Sequence, residues 1–195
     1  MELVIASNNK NKLKEIKELL KDLDINILSL NDIKFFDEIE ENGTTFSENS
    51  YIKAKTIYDK YHIAVLSDDS GLSVDALNGA PGVYSHRYAG LECDDHKNNL
   101  KLISELKDKK RDAKYVCDIC YINKNGIVNH ANGECFGKII DTPRGSNGFG
   151  YDPYFYIESL GKTMAEIDMT EKNKISHRSI ALKKIKEIIY EDFTR

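Results

Sequence analysis

Short unbroken apolar runs alternate along this chain with stretches in which apolar residues return every three or four positions. Leu3-Val4-Ile5-Ala6 is such a run, and Leu13, Ile16, Leu19, Leu20 and Leu23 follow it at helical spacing. The pair predicts a buried strand feeding a helix, with the polar residues 7–12 as the joint. Residues 25–30 predict a second strand. Thr45-x-x-Glu48 is a capping-box signature, and the helix it opens presents Phe46, Ala54, Ile57, Tyr58 and Tyr61 on its apolar side. Ala64-Val65-Leu66 predicts another buried strand, ending in the polar segment Ser67-Asp68-Asp69-Ser70-Gly71. Residues 94–106 predict a helix with Leu100, Leu102, Ile103 and Leu106 inward. Two strands, near 114–123 and 127–136, flank the turn Asn123-Lys124-Asn125-Gly126. Residues 154–157 are strand-like, and a last helix over 176–192 carries the stripe Ala181, Leu182, Ile185, Ile188 and Ile189. Strand–helix units followed by a hairpin predict an α/β fold whose sheet is mixed rather than wholly parallel.

Composition narrows the function classes. The 195 residues suffice for one domain, or two lobes sharing a core. A net charge of −4 argues against a broad basic face for a polyanion, so any phosphate binding must come from local lysines and arginines. No segment is long enough and apolar enough to cross a bilayer, and the first residues carry no basic leader. The expectation is a cytoplasmic protein. The pair Cys117/Cys120 has CxxC spacing, but it falls in a predicted strand, where residues three apart face opposite ways. No second pair completes a tetrahedral metal site, so all four cysteines read as reduced structural thiols.

Five polar segments carry candidate chemistry. Ser7-Asn8-Asn9-Lys10-Asn11-Lys12 leaves a strand and opens a helix, where unpaired N–H groups and the helix dipole favour an anion. On its own the segment is equally a polar loop with an Asn N-cap and solvated lysines. Glu40 and Glu41 precede a glycine turn, and Asp68 and Asp69 end an apolar strand, the side of a sheet where α/β folds place ligands. Mg²⁺ takes one or two carboxylates and completes its shell with water and phosphate oxygens; a solvated acidic turn is the alternative at both places, and the more natural one for Glu41. In the fourth segment, Glu171–Arg178, Ser176 is a plausible N-cap that sets His177 and Arg178 at the mouth of the last helix. Finally, Gly145-Ser146-Asn147-Gly148-Phe149-Gly150-Tyr151-Asp152-Pro153 combines three glycines, which open backbone conformations closed to other residues, with an aromatic ring, a phenol and a carboxylate. Its spacing is not that of a phosphate loop and a strand follows it, so it reads as a shelf for a flat base.

Taken together these segments resemble the inosine triphosphate pyrophosphatase family, which acts on non-standard purine nucleoside triphosphates. The resemblance rests on Ser7-Asn8-Asn9-x-x-Lys12, Glu40 with Gly43, Phe46-x-Glu48-Asn49 with Lys53, and Ser67-Asp68-Asp69-Ser70-Gly71-Leu72. It continues through Gly79-Ala80-Pro81-Gly82-Val83-Tyr84-Ser85, Gly148-Phe149-Gly150-Tyr151-Asp152-Pro153, and Lys172 with Ser176-His177-Arg178. Asn8 stands where many members have glycine. The resemblance implies a two-lobed α/β fold around a long mixed central sheet with flanking helices and a cleft between the lobes, usually in a homodimer. It implies Mg²⁺-dependent hydrolysis of ITP, dITP or XTP to the monophosphate and pyrophosphate. Asp69 would activate water, with Glu40 and Asp69 near the metal. Ser7, Asn8, Asn9, Lys10, Asn11, Lys12, Lys53 and Lys172 would hold the triphosphate, with Ser70 beside them. Phe149, with Gly150 and Tyr151, would form the purine shelf, while Asp152, His177 and Arg178 read the base edge.

Elementary chemistry is consistent with these roles. Phosphoryl chemistry needs positioning and charge neutralisation more than covalent help. Hypoxanthine and xanthine present an acceptor O6 where adenine presents a donor amine, so a donor aimed there is left unpaired against adenine, costing about 1–3 kcal/mol. Guanine shares O6, and its rejection requires a further contact at its 2-amino group. Two other classes compete: a non-catalytic sensor of purine triphosphates, which has no need of Asp69 and Glu40 together, and a single-strand nucleic-acid binder using eleven tyrosines and seven phenylalanines, which the acidic balance disfavours.

Overall fold

The computed structural model describes residues 2–194. Its seven strands form one mixed sheet in the order β2-β1-β3-β4-β5-β6-β7. β1 (Glu2–Ile5) pairs in parallel with β2 (Asn26–Ser29) and with β3 (Ala64–Val74). β5 (Val128–Ile139) and β6 (Phe155–Ile157) are antiparallel, as are β6 and β7 (Lys162–Thr163). The helices are α1 (Lys10–Leu19), α2 (Phe46–Tyr61), α3 (Asp95–Glu105), α4 (Met169–Ile175) and α5 (His177–Thr194), and β4 spans Asp112–Ile122. The chain divides into two compact units. One comprises residues 1–69, 117–133 and 178–195, the other 70–116 and 134–177.

In the first unit, strand alternation sorts side chains into two cores. Leu66 joins Leu3, Ile5, Ile16, Ala181 and Ile185 in one, while Val65 joins Val4, Ala54, Ile57 and Ile122 in the other. Full burial of each large aliphatic stabilises by roughly 1.5–3 kcal/mol. The same alternation settles the CxxC pair: Cys117 packs in the first core and Cys120 in the second. All four cysteines are free thiols. Burial pushes the Cys117 thiol up, Cys120 to about 12 and Cys135 to about 11, which leaves them protonated and unreactive. The second unit has its own core, in which Leu72, Val74, Leu102, Tyr115, Phe155 and Met164 pack together.

Two local expectations hold in detail, and a third in its backbone. Thr45 caps α2 in a reciprocal box with Glu48, the 123–126 turn closes with Gly126 at φ 82, and Ser176 is extended immediately before α5. Three differ. β3 does not stop at Leu66 but continues to Val74, where partners from other elements engage Ser67, Asp68 and Asp69. Leu100 is 52% exposed, since Asn98 and Asn99 take the inward positions of α3. Asn98 accepts from the amide of Ala89 and donates to the carbonyl of His86, and Asn99 donates to that of Gly150. Ile188 is 38% exposed, leaving the stripe of α5 to Ala181, Leu182, Ile185 and Ile189. Among the described residues no helix is long and apolar enough to cross a membrane.

Thr45→Ala removes an oxygen that accepts from the Glu48 amide. Urea unfolding is expected to show a loss of about 1 kcal/mol with an unchanged m-value.

Candidate active site

The extension of β3 turns Asp68 and Asp69 to opposite faces of the strand, each into a different set of cations. Asp69 faces α2. Asn49 donates from Nδ2 to its Oδ2 at 3.2 Å, and Lys53 Nζ lies 3.5 Å from its Oδ1. Lys53 also pairs with Glu41 at 2.6 Å, while Asn49 Oδ1 accepts from the Gly43 amide at 2.9 Å. One asparagine thus ties the acidic loop to Asp69. Burial pushes the Asp69 carboxyl above the usual range, and Lys53 and Lys12 only partly pull it back. Burial acts against the charge of Lys53, but Asp69, Glu41 and Asp68 outweigh it and hold the ammonium firmly protonated. Glu41, expected to be a solvated turn residue, is therefore the glutamate engaged beside Asp69; Glu40 next to it is exposed.

Asp68 faces the other way, toward α1 and α5. Its Oδ2 accepts from Arg178 Nε at 3.2 Å and Nη2 at 3.0 Å, and Lys12 Nζ lies 3.1 Å away. Arg178 Nη1 donates to Glu15. Burial favours the neutral acid, but Lys12, Arg178 and Lys53 outweigh it and hold Asp68 well below the ordinary carboxylate range. Arg178 is a residue expected at a base edge. Its side chain is 1% exposed, and its donor fork is turned to two buried carboxylates. In the 7–12 segment, Asn9 caps α1 by accepting from the amides of Asn11 and Lys12, and Ser7 Oγ accepts from the amide of Asn9. Asn8, Lys10 and Asn11 are exposed, whereas Lys12 is turned in toward Asp68.

The second unit builds the aromatic shelf. Gly145, Gly148 and Gly150 all sit at positive φ, 83°, 76° and 63°, and a Cβ on Gly148 would collide with the Asp152 carboxylate. That carboxylate is buried and takes three donors: the Phe149 amide at 3.0 Å, Lys172 Nζ at 2.8 Å and the Tyr115 hydroxyl at 3.0 Å. In this structure Asp152, expected at the base edge, holds the loop in shape. Lys172, expected among the triphosphate clamps, belongs to this group; its Nζ lies 5.0 Å from the Phe149 ring centroid. Phe149 is half-buried. α3 fixes the next residue, Asp95 accepting from the Gly150 amide at 2.8 Å and Asn99 donating to its carbonyl at 2.9 Å. Tyr151 is buried and donates to the Ser85 carbonyl at 2.8 Å, which makes it a strut. His177 is buried and stacks on Tyr115 at 4.8 Å with a 14° interplanar angle. Ser70 is half-buried on β3.

Glu15, Asn49, Asp95, Asn99 and Tyr115 were not among the expected site residues. Asn49 alone had a signal, since it lies in the quoted Phe46-x-Glu48-Asn49 motif.

A mixed α/β sheet with a buried carboxylate set among lysines, and a glycine-framed aromatic shelf, is the equipment of a nucleotide-handling protein. The Ham1 family model matches residues 3–188, and the chain belongs to that family. It is 48% identical to a dITP/XTP pyrophosphatase of Clostridium perfringens, covering 94% of this chain and 95% of that one. It is 47% identical to another of Desulforamulus reducens, at 97% and 96%. Among solved structures, a HAM1 protein from Coxiella burnetii superposes with a TM-score of 0.90 at 42% identity, over 98% of this chain and 99% of that one. The Staphylococcus aureus Ham1 protein gives 0.89 at 37%, over 98% and 100%.

Arg178→Ala leaves Asp68 and Glu15 buried without their shared cation. The expected loss is roughly 3–5 kcal/mol of unfolding free energy, measured by urea denaturation monitored through circular dichroism.

Proposed function

We propose that this protein is a Mg²⁺-dependent nucleoside-triphosphate pyrophosphatase that hydrolyses ITP, dITP and XTP to the monophosphate and pyrophosphate, removing them from the nucleotide pool. The observation that carries this is Asp69. It is a buried carboxylate with raised proton affinity, bonded to Asn49 and beside the ammonium of Lys53. A carboxylate so tuned is a stronger general base than an exposed one. In the proposed step Asp69 takes a proton from water as the water oxygen bonds to the α-phosphorus. The bond from that phosphorus to the bridging oxygen breaks, and pyrophosphate leaves. Lys53 and Lys12 neutralise charge on the phosphates. The names of the curated relatives, dITP/XTP pyrophosphatases, support the same substrate class.

The donor set suits Mg²⁺. Asp69 with a glutamate of the 40–41 pair offers hard carboxylate oxygens, and no group of three or more His, Cys, Asp or Glu gathers to hold a metal among the described residues. One or two carboxylates, with water and phosphate oxygens, is the composition this ion takes. When bound, it would supply charge neutralisation at the phosphates. Phe149 is the proposed stacking surface for the base, and with Arg178 engaged by carboxylates, His177 is the proposed donor to O6. A homodimer and a cytoplasmic location complete this reading; sedimentation velocity at micromolar concentration is expected to show twice the 22.2 kDa chain mass.

Inosine, xanthine, guanine and adenine triphosphates, assayed with separate phosphate and pyrophosphate detection, are expected to give pyrophosphate from the first two. Orthophosphate as the primary product overturns the proposal, and tight ITP binding without turnover at any pH points to a sensor instead. Asp69→Asn is expected to lower kcat by roughly 10²–10⁴-fold while ITP still binds.

The same variant makes a stability prediction. A carboxyl whose folded pKa is raised favours folding below its unfolded pKa, and that contribution is lost as pH rises through the folded value. Asp69→Asn is therefore expected to unfold at higher urea than the parent at pH 7, with the difference vanishing below pH ~4.

A further inference from the structure

A second polar network lies in the first unit, outside the residues assigned above. The Asp118 carboxylate on β4 is buried, and its Oδ1 accepts from Ser50 Oγ at 2.7 Å and stands 2.9 Å from His130 Nδ1. Ser47 Oγ is 3.2 Å from the same ring nitrogen. Ser50 in turn offers its backbone carbonyl to the hydroxyl of Ser67 on β3. A carboxylate on β4, a histidine on β5, two serines on the first turns of α2 and a serine on β3 are thus linked, with Ser50 bonded to both Asp118 and Ser67. Nothing in the proposed chemistry uses them.

Their place in the chain gives them a role. Ser50 follows Asn49, which holds Asp69, and precedes Lys53, Asp69's cation, by less than one turn. Ser67 precedes Asp69 by two residues on β3, so both side chains point to the α2 face. The hydrogen bonds to Ser50 therefore set the depth and rotation of α2 at the turn that supplies both partners of the base. Apolar packing cannot do this alone at that turn, because Asn49, Ser50 and Lys53 are all buried there. A helix held by directional bonds is fixed more tightly than one held by area. We propose that Asp118, acting through Ser50 and steadied by His130, is a positioning residue that sets Asn49 and Lys53 against Asp69.

The proposal rests on Asp69 as the general base for its kinetic consequence, but not for its geometric one. The test is a double-mutant cycle between Asp118→Ala and Asn49→Ala, measuring kcat and KM for dITP at saturating Mg²⁺ with folding checked by circular dichroism. If Asp118 acts through the Asn49–Asp69 contact, Asp118→Ala lowers kcat about 10-fold or more in the parent and less than about 3-fold in Asn49→Ala, with KM changed little. Asp118→Asn, which keeps an acceptor oxygen for Ser50, is expected to restore most of the lost kcat. Equal factors in both backgrounds, or a parent-like kcat in Asp118→Ala, overturn the inference. A crystal structure of Ser50→Ala gives a readout that needs no turnover. The Asn49 Nδ2–Asp69 Oδ2 contact is expected to open beyond hydrogen-bond reach, and its retention at 3.2 Å also overturns the inference. Absence of turnover in the parent would sink the pyrophosphatase reading alone, leaving the crystallographic arm to decide this one.

Discussion

Arg178 lies in the interior of the first unit with a carboxylate on either side, and much of that unit is organised around its charge. An isolated guanidinium buried to this extent would be prohibitive. Asp68 from β3 and Glu15 from α1 make it tolerable, and Lys12 supplies the cation that two carboxylates around one arginine still call for. The cluster joins α1, β3 and α5 through bonds with fixed directions. Such clusters contribute less to net stability than apolar replacements would, but they leave the three elements little freedom to slide. β3 continues from this anchor to Asp69, whose geometry is inherited from it one residue away.

The opposite faces of β3 then show how identical side chains acquire different characters. Asp68 and Asp69 are adjacent and both buried. Asp68 has an arginine and a lysine in contact and is held as a permanent anion. Asp69 has one lysine, itself shared with Glu41, and burial prevails. One residue of strand period separates a structural anion from a group with raised proton affinity, and neither role is a property of aspartate as such.

What the chain discloses before folding follows the range of the interactions. The Thr45–Glu48 box, the Gly126 turn and the opposed cysteines of β4 depend on neighbours within a few residues, and their positions were legible. The extension of β3 was not. Its polar residues read as loop because their partners come from α1, α2 and α5, and periodicity carries no record of that. The partners of Asp152 were hidden for the same reason, since Lys172 and Tyr115 lie 20 and 37 residues away. Glu41 rather than Glu40 at Lys53 was unreadable because the segment before Gly43 has no repeating period to assign a direction. The glycine loop, by contrast, showed its need for open backbone angles in its letters alone.

That loop has a consequence for the thermodynamics of recognition. Its three left-handed glycines surrender their conformational freedom when the chain folds, and Asp152, Asp95 and Asn99 hold the result in place. On the proposal that Phe149 is the stacking surface, a ring laid on it would meet a backbone already ordered, and its association would not carry the entropy loss of arranging one. On the same proposal, discrimination among purines would reflect differences in edge contacts, undiluted by a variable cost of induced order. A looser platform would adapt to several rings and distinguish them less.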